Sequence, residues 1–171
     1  MIITAGKYKG RKITVPDEKI SRPTLSKVRM GVFNMLHSLI GDFNGKSFLD
    51  AFGGSGIIGL EAISRGFTDV TVFELNKKSA EIIKQNYMKI GLKPNLTIGN
   101  SVKLIDKLNT NFDVIYIDPP YKSGIYEEIL GKNITGIIIL EHDEPVDTTG
   151  YTVVKTKNYG GKMITIIKNE I

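Results

Sequence analysis

The sequence predicts an α/β fold built on a mostly parallel, doubly wound sheet. From about residue 47 to residue 140, short runs rich in β-branched residues alternate with segments of helical periodicity. This alternation is typical of repeated strand–helix–strand units. A glycine-rich loop follows the first of these strands. Near the end of the chain, two alternating runs on either side of residues 157–161 indicate an antiparallel C-terminal hairpin at the sheet edge.

A small appendage is predicted ahead of this fold. Residues 2–5 and 11–15 alternate like two short strands, and glycines bound the loop between them, as in a β-hairpin. A helix follows, with Thr24 as its cap and its end near Leu39. Its apolar face is expected to hold Val28, Val32, Met35, Leu36 and Leu39. We therefore divide the chain into an appendage, residues 1–41, and a main domain, residues 42–171.

The main domain is expected to contain five strands and four helices before the hairpin. The strands are predicted at 47–51, 69–74, 96–98, 112–117 and 136–140. The helices are predicted at 57–65, 77–90, 102–108 and 125–130. The hairpin would pair 151–156 with 162–167. Only ten residues precede it, too few for a helical crossover, so its place in the sheet stays open.

Composition bounds the class of protein. A chain of 171 residues with 41% hydrophobic and 24% charged residues is typical of a soluble globular protein. Its longest apolar run, residues 137–140, is far shorter than a membrane span. The absence of cysteine excludes disulfides and thiolate catalysis, and the two histidines do not have metal-ligand spacing. We expect a cytoplasmic monomer that needs no metal and no membrane.

Positive charge is concentrated at the start of the chain. The eight basic residues among the first 40 are Lys7, Lys9, Arg11, Lys12, Lys19, Arg22, Lys27 and Arg29. Only Asp17 and Glu18 oppose them, although the net charge of the whole chain is +5. A merely solvated face would carry interspersed acids, so this imbalance favours a polyanionic partner, with nucleic acid the natural choice. Tyr8, between Lys7 and Lys9, is suited to stack on an exposed base.

A second feature is the loop after the first strand. Residues 54–59 match the G-x-G-x-x-G pattern, and Glu74 ends the next strand, where an acid can bind ribose hydroxyls. Both features fit a nicotinamide dinucleotide as well as S-adenosylmethionine. Asp50 separates the two, because a carboxylate before the glycines repels a pyrophosphate and attracts the α-ammonium of a methionine group. The arrangement of Asp50, Phe52, Gly54, Ser55 and Gly56 resembles the cofactor loop of class I S-adenosylmethionine methyltransferases.

Two polar residues follow the third strand, where that class contacts the adenine of its cofactor. Asn100 has the side chain to bond an adenine edge, and Ser101 is next to it. The alternative for each residue is a helix cap, and for Ser101 the two interpretations are equally supported.

The third feature is the corner formed by Asp118, Pro119, Pro120 and Tyr121 after the fourth strand. Consecutive prolines end the strand and stiffen the backbone. The Asp118 carboxylate and a main-chain carbonyl, which we assign to Pro119, can accept both hydrogens of a flat amino group, while Tyr121 stacks on its base. This stretch resembles the Asp/Asn-Pro-Pro-aromatic signature of methyltransferases that modify exocyclic amines. Taken alone, it is equally compatible with a rigid exit turn in which Asp118 caps a helix.

The full pattern resembles the RsmD-type ribosomal RNA guanine-N2 methyltransferases of bacteria, a family with a Rossmann-like class I methyltransferase fold. The matching segments are 6–12, 22–24, 28–29, 33–34, 52–56, 59–62, 64–65 and 118–121. Two residues depart from the family pattern: Met30 stands where glutamate is usual, and Gly53 stands where alanine is usual. We expect Gly53 to make the loop more flexible.

The resemblance implies methylation of the N2 amine of one guanine in 16S ribosomal RNA, within the small subunit or an assembly intermediate. S-adenosylmethionine would lie over the glycine loop, with Asp50 at its amino acid end and Glu74 at its ribose. RNA phosphates would be held by the appendage, and the expected RNA-binding residues are Lys7, Tyr8, Lys9, Arg11, Arg22 and Arg29. Transfer would depend mainly on positioning, since the methyl donor is already activated.

Three other functions are compatible with some of these motifs. A DNA or RNA methyltransferase acting on adenine N6 or cytosine N4 uses the same amine chemistry, although such enzymes generally need an added target-recognition region. Protein glutamine methylation is compatible with the corner, but the basic N-terminus argues against it. A non-catalytic RNA-binding protein on the same fold would not need Asp50, the glycine loop, Glu74 and the corner all intact.

Overall fold

The computed structural model describes residues 1–16, 25–120 and 124–169. The helices are α1 (Ser26–Ile40), α2 (Ile57–Ser64), α3 (Lys77–Met88), α4 (Ser101–Asp106) and α5 (Ile125–Leu130). The strands are β1 (Ser47–Asp50), β2 (Asp69–Glu74), β3 (Asn95–Ile98), β4 (Val114–Ile117), β5 (Ile137–His142), β6 (Tyr151–Tyr159) and β7 (Lys162–Asn169). All seven strands join one sheet in the order β3-β2-β1-β4-β5-β7-β6.

The predicted fold class is confirmed. Strands β1 to β5 pair in parallel, and the hairpin β6–β7 is antiparallel. The chain builds outward from β1 to β3, then returns to place β4 on the other side of β1. The strand order therefore reverses between β1 and β4. In sheets of this kind, ligands bind at such a reversal, beyond the carboxyl ends of the strands.

Helices cover both faces of the sheet because the parallel strands are apolar on both sides. In β4, Val114 and Tyr116 face one layer and Ile115 and Ile117 face the other. The first layer contains α1, α2, α3 and buried side chains of the N-terminal segment, and the second contains α4 and α5. The first core is continuous across residue 41, so the two-domain division stays a prediction about function and not a visible boundary.

The structure resolves how the hairpin joins the sheet. Strand β7 pairs antiparallel with β5, from Ile137 opposite Lys168 to His142 opposite Met163, and β6 forms the edge. The loop predicted at residues 157–161 is shorter than expected, because β6 continues to Tyr159 and only a two-glycine turn remains. Since His142 lies at the carboxyl end of β5, this turn lies at the same edge of the sheet as the strand-order reversal.

The predicted N-terminal hairpin is confirmed in outline. Ile2 and Lys12 form an antiparallel bridge. The N–H groups of Ile3, Gly10 and Ile13 donate to the carbonyls of Arg11, Ile3 and Met1, at 3.0, 2.8 and 2.9 Å.

Other backbone groups of the N-terminal segment pair with side chains of the main domain. Thr4 donates its N–H to Glu61 of α2, and Thr14 donates its N–H to Asn86 of α3. These contacts fasten the short hairpin to α2 and α3.

Helix α1 ends at Ile40, within one residue of the predicted end near Leu39. Thr24 lies outside the described residues, and Leu25 precedes the helix without a side-chain cap. Four of the five predicted face residues are buried, but Leu39 remains 40% exposed. None of the described helices is long and apolar enough to cross a membrane.

Candidate active site

Three predicted acids lie at the carboxyl edge of the sheet. Asp50 is the last residue of β1, Glu74 is the last residue of β2, and Asp118 directly follows β4. Asp50 and Asp118 therefore flank the point where the strand order reverses. The fold brings the predicted cofactor loop and the predicted amine corner to one crevice.

The glycine loop is held in a fixed conformation. Gly54 and Gly56 have φ of 56° and 81°, in the left-handed region that other residues avoid. The Gly56 N–H donates to the Gly53 carbonyl at 2.8 Å, and the Ser55 hydroxyl accepts the N–H of Ile57 at 3.3 Å. From below, the Asn86 amide donates to the Ser55 carbonyl at 2.8 Å. These contacts turn the chain sharply from β1 into α2.

Gly53 does not loosen this loop, contrary to the sequence-based expectation. It is buried, and its N–H donates to the Phe73 carbonyl at 2.8 Å. A Cβ at this position would lie 2.5 Å from Val72 Cγ1 and 2.9 Å from Ile83 Cδ1. Glycine here permits close packing of the loop against β2 and α3.

Asp50 is buried and only half satisfied. Its Oδ1 accepts the Phe52 N–H at 3.3 Å, whereas its Oδ2 has no hydrogen-bond partner in the described part of the chain. Burial, and to a lesser extent the charge of Glu74, raises the pKa of the Asp50 carboxyl to about 7. An orphaned acceptor on a buried acid is costly, and a cationic group offsets that cost. The residue fits the α-ammonium predicted to bind there.

Glu74 has a role that the sequence did not reveal. Its two carboxylate oxygens accept the N–H groups of Gly54, at 2.7 Å, and Asn76, at 2.8 Å. The acid thus fixes the glycine loop and the start of α3 at once. A carboxylate oxygen can accept a second hydrogen bond, so the predicted ribose contact stays a prediction.

The three other predicted cofactor residues surround the loop. Asn100 caps α4 by accepting the Lys103 N–H at 3.1 Å, which is the alternative that the sequence left open. The buried Ser101 hydroxyl donates to the carbonyl of Ala51, so it joins α4 to the end of β1. Phe52 packs against the second core. Contacts of these residues with adenine stay predictions.

The corner after β4 is described as far as Pro120. Asp118 is half-buried, Pro119 is buried and Pro120 is exposed, while Tyr121 lies outside the described residues. Burial, followed by the charge of Asp118, raises the pKa of the Tyr126 hydroxyl above its ordinary range. The Tyr126 hydroxyl, on α5, donates to the carbonyl of Glu141.

Sequence reasoning missed two buried polar residues beside this corner. The Tyr116 hydroxyl donates to Glu141, an acid only 2% exposed that follows four apolar residues in β5. The pairing of Ile117 with Leu140 makes Glu141 the neighbour of Asp118 across the strands. Burial, then the charges of Glu141 and Asp118, raises the pKa of Tyr116. An acid in a strand of isoleucines was the signal that could have identified this pair.

Arg29 is not an RNA-binding residue, contrary to prediction. Its side chain is fully buried, and its Nε lies 3.3 Å from Glu61 Oε1. Its Nη2 donates to the Ile2 carbonyl at 2.8 Å. Glu61 also accepts from Thr4 and from Arg65, so this cluster fastens the N-terminal segment to α1 and α2. A phosphate cannot reach a guanidinium enclosed in this way.

The predicted RNA-binding loop lies far from the crevice. The N–H groups of Lys7 and Tyr8 donate to the carbonyl and hydroxyl of Ser64, at 2.8 and 2.9 Å. Ser64 ends α2, eight residues and about 12 Å along the helix axis from Gly56. Lys7, Lys9 and Arg11 are exposed, and the Lys7 ammonium lies 5.5 Å from the Tyr8 ring. Arg22 lies outside the described residues.

Comparison with known proteins agrees with this geometry. The family described as Conserved hypothetical protein 95 matches residues 1–168. The ribosomal RNA small subunit methyltransferase D of Escherichia coli is 33% identical over 130 residues, 75% of this chain and 64% of its own length. The chain thus spans slightly less than two thirds of that relative. The Bacillus subtilis protein YlbH, provisionally named an rRNA methyltransferase, is 30% identical over 98% of both chains.

A solved structure from Escherichia coli, yhhF, provisionally named a methyltransferase, superposes with a TM-score of 0.85 at 24% identity. It covers 99% of this chain and 98% of its own. That likeness establishes the class I methyltransferase fold. Together with the match over nearly the whole sequence, it shows that the chain belongs to the RsmD family, described as Conserved hypothetical protein 95.

Proposed function

We propose that this protein transfers a methyl group from S-adenosylmethionine to the exocyclic N2 amine of a guanine in 16S ribosomal RNA. The observation that carries the proposal is that two acids, Asp50 and Asp118, lie on either side of the strand-order reversal. Asp50, with one oxygen lacking a partner in the described residues, faces the cofactor side, and Asp118 begins the amine-binding corner. The names of the relatives support ribosomal RNA as the substrate.

The residues around the glycine loop are suited to S-adenosylmethionine. Asp50 would bind its α-ammonium, and the absence of side chains at Gly54 and Gly56 would let the ligand approach the backbone closely. Glu74 would bind the ribose while it continues to hold the loop. Asn100 and Ser101 would lie near the adenine. When bound, this cofactor supplies a methyl group that is already activated for transfer.

The remaining task of the protein is to present the amine. Asp118 and the Pro119 carbonyl would accept the two amine hydrogens and direct the nitrogen toward the methyl group, and Tyr121 would stack on the base. Asp118 need not be a strong base, because the amine becomes acidic only as the new bond forms. The buried Pro119 and exposed Pro120 keep the acceptors in one orientation.

The RNA is proposed to extend well beyond the crevice. Lys7, Tyr8, Lys9 and Arg11 are exposed or half-buried at the opposite end of α2 and would hold phosphates of a large folded substrate. Arg22 is assigned the same role from its sequence alone. A small subunit or an assembly intermediate is long enough to reach both places, and this is the sense in which residues 1–41 would act as an RNA-binding appendage.

One experiment tests the proposal directly. The protein is incubated with cofactor labelled on its methyl group and, in separate reactions, with 16S RNA, assembled small subunits or DNA. The modified nucleoside is then identified by digestion and chromatography. We expect N2-methylguanosine from RNA or subunits, and none from reactions with Asp118→Ala protein. Label in N6-methyladenine or N4-methylcytosine would show the rival nucleic-acid activities, and absence of transfer to every substrate would refute the proposal.

A further inference from the structure

We propose that the C-terminal hairpin provides a second RNA-binding surface, one that contacts phosphates close to the target nucleotide. This surface, called the hairpin tip below, consists of Lys155, Lys157 and Tyr159 at the turn end of β6. The inference rests on the proposed function, since it assigns the hairpin tip to the same RNA. It adds a surface that the concentration of charge in the first 40 residues did not indicate.

The hairpin tip carries uncompensated positive charge. Residues 151–169 contain four lysines and no acid. Lys155 and Lys157 are exposed, and neither forms an ion pair within the part of the chain that the structure describes. The Lys157 ammonium lies 5.1 Å from the centre of the Tyr159 ring. A cation beside an aromatic ring, free of acids, is suited to nucleic acid.

The strand register places these cations on the catalytic side of the sheet. Lys157 lies opposite Ile164, which lies opposite Glu141, the cross-strand neighbour of Asp118. Lys155 lies opposite Ile166, and both isoleucines belong to the core layer that Tyr116 faces. Lys155 and Lys157 therefore lie on the face of the sheet that carries Tyr116, two residues before Asp118.

The separation suits neighbouring nucleotides. Three strand spacings of about 4.8 Å put the Lys157 backbone roughly 14 Å from that of Asp118. One stacked strand advances about 3.4 Å per nucleotide, so this distance is roughly four nucleotides. An RNA strand whose guanine enters the corner would pass over the hairpin tip with its flanking phosphates.

The hairpin tip is also rigidly attached. Tyr159 packs so closely on α1 that a Cβ at Gly31 would lie 1.9 Å from its hydroxyl oxygen. At the start of β7, Lys162 lies 2.9 Å from an Asp143 oxygen and 3.9 Å from a Glu141 oxygen. The cations are thus held at a set position relative to the crevice, which a phosphate contact near a reacting base requires.

Lysine on an edge strand has a second physical explanation. β6 is the free edge of the sheet, and edge lysines discourage pairing with the edge of another molecule. That role alone would leave RNA binding unchanged when the lysines are removed, and the variant would self-associate. Protection of the edge and binding of RNA therefore make different predictions.

The test compares wild-type protein with Lys155→Ala/Lys157→Ala, measuring affinity for labelled 16S RNA over a range of salt concentrations. Loss of two phosphate contacts should reduce the slope of log affinity against log salt by about 1.4 to 1.8. We expect roughly tenfold weaker binding at low salt and a similar rise in KM for RNA, with little change in kcat. Calorimetric affinity for S-adenosylhomocysteine should not change.

The matched control is Lys93→Ala/Lys168→Ala, which removes the same charge from exposed positions at the amino edge of the sheet. It should bind RNA nearly as wild type does, and Lys155→Arg/Lys157→Arg should retain affinity. Equal losses in both alanine variants, or wild-type binding by Lys155→Ala/Lys157→Ala, would overturn the inference. Methyl transfer by wild-type protein is scored separately, so a failure of the proposed function is recognised independently.

Discussion

Within the described residues, a lysine ammonium lies against a tyrosine ring in two places, which have opposite relations to the candidate active site. Lys7 and Tyr8 lie at the amino edge of the sheet, where backbone hydrogen bonds fasten them to the end of α2. Lys157 and Tyr159 lie at the carboxyl edge, on the face that carries Tyr116. The first pair stands in the most basic stretch of the sequence, yet the second is nearer the proposed site of methyl transfer. A cluster of basic residues indicates a nucleic-acid partner. The sheet topology is needed to identify which basic surface lies close to the nucleotide that would react.

The largest expected effect is a loss of methyl transfer that leaves RNA binding at both surfaces unchanged. Asp118→Ala should reduce methyl transfer by about a thousandfold or more, because the amine loses a charged acceptor in a confined site. Affinity for 16S RNA and for S-adenosylhomocysteine should remain near wild type, as measured by filter binding and calorimetry. Normal turnover in a labelled-methyl assay would remove Asp118 from the mechanism. The distance from Asp118 to the hairpin tip would then no longer support RNA binding at the tip.

The next effect concerns the cofactor side of the crevice. Asp50→Asn should weaken S-adenosylmethionine binding on the order of 100-fold, since a buried charge pair is lost. Its RNA affinity should not change at either surface, because Asp50 ends β1, which is four strands from β6, and the N-terminal loop lies at the far end of α2. Retained cofactor affinity in a calorimetric titration would contradict the ammonium contact.

The same acid gives two pH dependences. Because the pKa of Asp50 is raised to about 7, the free carboxyl must lose a proton below that pH to bind the ammonium. Cofactor affinity should therefore rise between pH 6 and 8, by up to about tenfold per unit below the pKa. Asp50→Asn should show no such rise.

The free energy of unfolding contributed by Asp50 changes with pH in the opposite direction to cofactor affinity: it falls as pH rises. The folded carboxyl holds its proton more tightly than the unfolded one, so its contribution is full below about pH 4 and is lost as pH rises toward 7. Unliganded Asp50→Asn should consequently melt on the order of 3–6 °C higher than wild type at pH 8. The gain should disappear near pH 4; a variant less stable than wild type at pH 8 would contradict the raised pKa.

A smaller effect tests the attachment of the hairpin tip. Gly31→Ala places a methyl group against the Tyr159 hydroxyl, so the ring and the adjoining lysines must shift. We expect RNA affinity to fall about threefold to fivefold, while helix propensity offsets part of the packing cost of about 1–3 kcal/mol. Asn34→Ala, at an exposed position of the same helix, is the control. Wild-type RNA affinity in Gly31→Ala would show that the position of the tip does not matter.

The smallest effect should come from the N-terminal loop and should depend on substrate length. Lys7→Ala/Lys9→Ala is expected to weaken binding of intact 16S RNA about threefold and to reduce its salt dependence. With a short RNA containing only the target loop, this variant should behave as wild type, whereas Lys155→Ala/Lys157→Ala should still bind weakly. The reverse pattern would exchange the roles of the two surfaces.

Local patterns were enough to predict the strands and the crevice. The glycine loop, Asp50 and Asp118 could be placed because strand ends in an α/β sheet converge, whatever the details of packing. Arg29 could not be placed, since its burial depends on Glu61, 32 residues away, and a lysine-rich neighbourhood made it look exposed. The attachment of the N-terminal loop could not be predicted for a related reason, because the Tyr8 N–H donates to Ser64, 56 residues away.

The hairpin shows the same limit. Its two strands were predictable from alternation, but insertion of β7 between β5 and β6 is a property of the assembled sheet. That insertion gives Lys157 its distance from Asp118. Glu141 was overlooked because its partner is distant in sequence. The hydrogen bond that it accepts from the Tyr116 hydroxyl forms only once β4 and β5 are paired.

Asp50 Oδ2, which has no hydrogen-bond partner among the described residues, has a consequence for turnover. On the proposed function, it recognises the amino acid end of the cofactor, and methyl transfer leaves that end chemically unchanged. The spent cofactor, S-adenosylhomocysteine, therefore keeps the contact that offsets the cost of burying this acid. The protein should release its by-product reluctantly and be inhibited by it in competition with fresh cofactor, so that removal of S-adenosylhomocysteine by other enzymes would set the pace of RNA modification.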